Sequence, residues 1–107
     1  KQGITYAQKI LKNETLIDWR QPAVKIDRVI RAMSPWPGAW FYINGERLKL
    51  LGSYTKNIEA DPGEILDGFT VACGAGAVSI TSVQKPGKRV VTTKEFLMGN
   101  SLPKKLL

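Results

Sequence analysis

A mainly β domain with flanking helices is the fold class this sequence predicts, and three observations predict it. Short runs rich in β-branched and aromatic residues recur between Trp40 and Val83. Asn-Gly, Pro-Gly, Asp-Gly and Gly-Ala-Gly signals punctuate those runs, the pattern of short antiparallel strands. Helical spacing of apolar residues appears clearly only on either side of them.

The leading segment, residues 1–21, has scattered apolar positions at Tyr6, Ile10, Leu11, Leu16 and Ile17 without a clean amphipathic period, and Trp19 is placed to anchor its end. Residues 22–33 are the clearest helix. Pro22 suits a first turn, and Ile26, Val29, Ile30 and Met33 follow the i, i+3, i+4, i+7 rule that turns one face to a core. Asp27 and Arg31 are four apart and can pair across one turn, with Lys25 and Arg28 on the outer side.

The helix must stop at Ser34-Pro35-Trp36-Pro37-Gly38. A residue before proline is pushed out of the helical region, each proline fixes one backbone angle, and glycine releases the chain. Pro35, Trp36, Pro37 and Gly38 are read as a structural corner, in which Trp36 and Trp40 supply apolar bodies that glue the helix end to a sheet. Trp40 to Ile43 and Glu46 to Tyr54 then form a hairpin about Asn44-Gly45, with Leu48 and Leu50 on one face and Arg47 and Lys49 on the other. Gly52 interrupts the second strand and marks a bulge or sharp coil.

Further strands are expected at Glu64–Leu66, Phe69–Cys73 and Ala77–Val83, the last with Val78, Ile80 and Ser82 alternating against Ser79, Thr81 and Val83. Five short antiparallel strands in so few residues fit a small closed or partly open barrel, and the OB-like type matches in size. Thr92 and Glu95 have the spacing of a capping box for a short helix with Phe96, Leu97 and Met98, ended by Gly99-Asn100. Met33 and Met98 are read as core, and the tail from Ser101 to Leu107 as frayed.

Composition narrows the chemistry. The 107 residues, 43% hydrophobic and 23% charged, suit one compact domain with its own core. No run of eighteen apolar residues and no apolar signal region are present, so the expectation is a cytoplasmic chain that spans no membrane. The lack of an initiator methionine makes it read as a piece of a longer protein. Cys73 is the only cysteine and histidine is absent, which leaves no disulfide, no credible metal site and no histidine-activated nucleophile in this sequence. Gly74-Ala75-Gly76 lacks both the third glycine and the following helix of a dinucleotide fingerprint and reads as a hairpin turn. Asp61 with Glu64, or Asp18 with Asp27, could be named as acid and base, yet no feature places either pair in a cleft.

Charge is more informative. The net charge is +7, and residues 57–70 contain four acids and no base while the regions on both sides are basic. That balance points to a polyanion, with an ordinary solvated basic surface as the plain alternative. Lys85, Lys88 and Arg89 surround the Pro86-Gly87 turn, and Arg47 and Lys49 lie on the hairpin; long cations around a tight turn suit a phosphate backbone and little sequence reading. Lys9 and Lys12 extend the candidate set into the leading segment. Tyr42 and Tyr54 could stack bases, but packing on the sheet is the plainer reading of both.

Several motifs in order resemble one family. Thr5-Tyr6-Ala7-Gln8-Lys9-Ile10, Ile17-Asp18-Trp19, the Pro-Trp-Pro-Gly corner, Pro62-Gly63, Val71-Ala72-Cys73-Gly74, Gln84-Lys85-Pro86-Gly87-Lys88 and Glu95-Phe96-Leu97-Met98-Gly99 resemble the C-terminal domain of bacterial methionyl-tRNA formyltransferases. Val90 and Val91 depart from the more polar stretch expected after the loop. The resemblance implies the same OB-like barrel and makes residues 1–21 an interdomain connector from a missing N-terminal catalytic domain, with residues 22–107 the C-terminal domain itself. It implies no catalytic residue and no cofactor on this chain. The parent enzyme would move a formyl group from 10-formyltetrahydrofolate to methionyl initiator tRNA in translation initiation. This portion would act as a monomer that holds the tRNA against its catalytic partner. The competing expectation is an accessory packing domain of a sugar-nucleotide formyltransferase or a formyl-folate hydrolase, with no RNA role for the basic surface.

Overall fold

The computed structural model describes residues 16–107. Its order is α1 (Ala23–Met33), β1 (Ala39–Ile43), β2 (Glu46–Lys56), β3 (Thr70–Ala72), β4 (Ala77–Gln84), β5 (Val90–Thr92) and α2 (Thr93–Gly99). Every strand pairing is antiparallel, the path runs β1-β2-β4-β3, and β5 adds to β4. The result is the mainly β, OB-like architecture expected, a curled half-barrel with helices against it.

Asn44 and Gly45 both take positive φ, +55° and +82°, the backbone that a two-residue turn between right-twisted strands requires. The turn fixes the register Ile43 with Glu46, Tyr42 with Arg47 and Trp40 with Lys49. Leu48 and Leu50 are therefore buried while Arg47 and Lys49 share the other face, as the alternation predicted.

Gly52 marks a bulge. Pairing between β2 and β4 passes from Leu50–Val83 to Gly52–Ser82 to Ser53–Ile80, which skips Leu51 and Thr81. A Cβ on Gly52 would collide with Thr81 Oγ1 and come within 2.9 Å of Ser82 Oγ, so the missing side chain is what lets the strands approach. The bulge also corrects the expected alternation: Val83 joins Val78 and Ile80 in the core, in the place assigned to Ser82.

Helix α1 lays Ile26 and Ile30 into the core, with Val29 and Met33 packed at its border. Arg31 Nε meets Asp27 Oδ2 at 3.1 Å, and Ser53 Oγ donates to the other carboxylate oxygen at 2.6 Å, tying the helix to β2. The first turn has no side-chain cap. Instead Ala23 N donates to Ala75 O at 2.8 Å, and Gly74 N in the same β3–β4 turn donates back to Gln21 O at 3.0 Å. The Gly74-Ala75-Gly76 segment is thus a hairpin turn that also receives the helix start. At α2 the expected Thr92 cap is present, its hydroxyl accepting from Glu95 N at 3.1 Å.

Before α1, Ile17 and Trp19 are buried and Ile17 N donates to Trp40 O at 2.9 Å, so this stretch packs on the same core. Trp19 meets Phe41 edge-on at 5.7 Å.

Three expectations are overturned. Glu64–Leu66 is not a strand but a loop held by single bridges, Glu64 to Lys105 and Ile65 to Val71. The fifth strand lies instead at Val90–Thr92, where the two valines that seemed out of place extend β4's edge. The tail is docked: Ile65 N donates to Lys104 O, Leu106 N donates to Gly63 O, and Leu102 and Leu106 pack on the core. Met98 is 83% exposed, because α2 buries only Phe96 and turns its far side to solvent.

Candidate nucleic-acid interface

The hairpin register places Arg47 and Lys49 on the outward face of β2, and the next pairing, Lys49 with Gln84, brings in the end of β4. Beyond Gln84 the chain turns tightly: Gly87 has φ +71°, Lys88 N donates to Lys85 O, and Gln84 Nε2 donates to Lys88 O at 2.8 Å. Arg47, Lys49, Gln84, Lys85, Pro86 and Gly87 consequently line one open cleft. On the other side of the turn Lys85, Lys88 and Arg89 border a second depression against Phe96 and Asn100. Three of the five described cations named from the sequence thus meet in one cleft, and Lys85 joins it to the other two. Lys9 and Lys12 lie outside the described residues.

These cations differ in their engagement. Arg89 donates to Glu95 in an exposed pair, and the partly exposed Lys85 Nζ sits 3.6 Å from Glu46; surface pairs of this kind are weak enough for a polyanion to exchange. Arg47 Cζ lies 4.1 Å over the centre of the Trp40 ring. Lys49 and Lys88 form no ion pair with a described residue. Lys49 runs so close to Gly38 that a Cβ there would come within 2.9 Å of Lys49 Cδ, so the proline corner borders this face.

The corner corrects a further expectation. Gly38 and Ala39 are the residues it buries, whereas Trp36 is 79% exposed and glues nothing among the described residues. Its backbone leaves the helix through Gly38 N donating to Met33 O, with the Ser34–Pro35 and Trp36–Pro37 bonds both cis. Tyr42, read as packing, is also 58% exposed, its ring edge-on to Trp40 at 5.1 Å. The signal for these aromatics was present in the sequence: the turn that puts Arg47 and Lys49 outward puts Trp40 and Tyr42 there too.

Two of the described titratable groups are shifted from their ordinary values. Asp18 is held below the usual carboxylate range by hydrogen bonds from the Arg20 backbone and side chain, both at 3.1 Å, a turn-forming contact on the surface. Burial pushes the Cys73 thiol up to about 11, which leaves it protonated and inert near neutrality. Among the described residues no three His, Cys, Asp or Glu side chains cluster as metal ligands.

Comparison with known proteins adds identity to this geometry. The family described as "Formyl transferase, C-terminal domain" matches residues 9–101. A protein of Cereibacter sphaeroides named methionyl-tRNA formyltransferase is 51% identical over 104 residues, 97% of this chain and 34% of its own length. The same-named protein of Paracoccus denitrificans is 51% identical over 105 residues, 98% of this chain and 35% of its own length. The chain therefore spans about a third of the relatives it matches. Among solved structures, HypX from Aquifex aeolicus in complex with tetrahydrofolic acid superposes with a TM-score of 0.65 at 25% identity, over 78% of this chain and 16% of that one.

Proposed function

The chain belongs to the formyl transferase C-terminal domain family, and from that premise we propose that it is the tRNA-docking portion of a methionyl-tRNA formyltransferase. In this reading the full-length enzyme transfers a formyl group from 10-formyltetrahydrofolate to the methionyl group carried by initiator tRNA, at the start of protein synthesis in the cytoplasm. Residues 1–21 connect to an N-terminal domain that does the chemistry, and residues 22–107 act as a monomeric scaffold. In this reading the folate co-substrate belongs to that other domain.

The observation that carries the reading is the cleft in which Arg47, Lys49 and Lys85 converge, continued by Lys88 and Arg89 across the turn. Guanidinium and ammonium groups spread along a groove match the repeating charges of a nucleic-acid backbone, and each phosphate they neutralise releases condensed counterions. Such contacts fix where the RNA lies without reading its bases. Their contribution to the reaction is positional. Holding the tRNA body in one orientation turns the encounter of its acceptor end with a distant active site into an effectively intramolecular event. Lys9 and Lys12, which lie outside the described residues, belong to the same set of candidate backbone contacts by their charge alone.

Binding of the protein to tRNA across a salt series tests this. The logarithm of affinity should fall with the logarithm of salt by about 0.9 for each duplex phosphate contacted. Reversing Lys85, Lys88 and Arg89 to Glu should weaken binding and flatten that slope while circular dichroism stays native, since loop tips contribute little to the core. Affinity unchanged by the reversal, or independent of salt, would favour an interdomain packing role.

A further inference from the structure

Two large aromatic side chains stand in solvent beside the cationic cleft, and backbone docking uses neither. Tyr42 is paired with Arg47 across the hairpin and is 58% exposed. Trp36 is 79% exposed on the corner whose Gly38 touches the Lys49 stem. On the same face of the hairpin Trp40 carries the Arg47 guanidinium over its ring at 4.1 Å and takes the Tyr42 ring edge-on. The charge of Arg47 is thereby held on the face instead of sweeping through solvent, and Tyr42 is braced in one attitude.

Exposing a tryptophan and a tyrosine costs favourable burial, and the core has apolar residues enough without them. A surface that alternates cations with braced, exposed rings is suited to a strand of nucleic acid whose bases are unstacked, because each base presents a π-face and each link a phosphate. A duplex hides its bases and could use only the cations.

Resting on the RNA reading above, we propose that the outward face of the β1–β2 hairpin, together with the adjoining Trp36 corner, is a stacking platform for unpaired nucleotides of the bound RNA. The cleft cations hold the phosphates, Tyr42 receives one base and Trp36 another. The domain then reads the presence of a single-stranded element in its RNA, in addition to its backbone.

Titration of the protein with a short single-stranded oligoribonucleotide, and with an RNA duplex carrying the same number of phosphates, separates the two modes. Stacking should quench tryptophan fluorescence with the single strand and leave it nearly unchanged with the duplex. Tyr42→Ala and Trp36→Ala should each weaken single-strand binding about fivefold or more while duplex affinity and both salt slopes persist, and Tyr42→Phe should retain binding. Both positions are exposed, so an unchanged melting temperature excludes a folding cause. Duplex binding with no effect of either aromatic substitution on the single strand would overturn the platform and leave backbone docking standing. Failure of both RNAs to bind with salt dependence would remove the RNA reading itself. Competition by polyglutamate as effective as that by the single strand would assign the face to an acidic protein surface and overturn the proposal.

Discussion

Trp19 and Trp36 stand at opposite ends of α1 and meet opposite fates. Trp19 comes from an unremarkable Asp-Trp-Arg stretch yet is wholly buried, edge-on to Phe41, with the neighbouring Ile17 amide bonded to the Trp40 carbonyl. Trp36 sits in the most conspicuous motif of the chain, bracketed by prolines, and stands in water. The prolines constrain the path of the backbone, and the path here is chosen for Gly38 and Ala39, which pass under the Lys49 stem into the sheet. A rigid corner therefore says where the chain goes and nothing about which side chain it hides.

The sharpest way to break that comparison is to truncate each ring. Trp19→Ala should destabilise the protein by about 3 to 5 kcal/mol in urea or thermal unfolding, the cost of a large buried cavity. Trp36→Ala should change stability by less than about 0.5 kcal/mol, as surface substitutions do. Equal losses would mean that the corner tryptophan is an anchor after all.

A smaller effect sharpens the point about the backbone. Gly38 has φ +90° and lies against Lys49, so Gly38→Ala should cost about 1 to 2 kcal/mol even though the residue carries no side chain to lose. A neutral result would show that the corner tolerates another path.

The buried side of the comparison has a pH signature as well. Cys73 ionises near 9 when exposed and at about 11 in the fold, so the folded state favours the neutral thiol. Its contribution is present in full below about pH 9 and is lost as pH rises toward 11. Unfolding midpoints of the native protein should fall more steeply over that window than those of Cys73→Ala, and parallel curves would show the thiol to be solvated.

Much of this architecture was legible because short-range rules and tertiary packing agreed. Asn44-Gly45 set the hairpin register, the apolar spacing of α1 set its buried face, and Thr92 with Glu95 marked the start of α2. What escaped notice depended on contacts distant in sequence. Nothing local says that Lys104 and Leu106 will pair with residues 63–65, or that Val90–Thr92 will find the free edge of β4. The bulge was visible at Gly52, but its effect on the phase of β4 required knowing which strand lay opposite. For the candidate interface, the cations were readable from the turn and the alternation, and the aromatics beside them were readable by the same alternation. A large ring on a sheet is usually covered, which is why packing is the plainer reading of Tyr42, and a ring at a proline corner usually glues it, which is the plainer reading of Trp36; in this fold nothing among the described residues covers either.

The capping arrangement at α1 has a consequence for how the molecule opens. Since Pro22 offers no side-chain acceptor and the first helical amide is satisfied by the Ala75 carbonyl, the helix borrows its initiation from a turn far along the chain. Reciprocity from Gly74 to Gln21 closes the loan into a two-way clasp. Opening of the turn should therefore release the amides of Ala23 and Gly74 together, so that their hydrogens exchange with similar protection, and loosening at one end of the clasp is felt at the other.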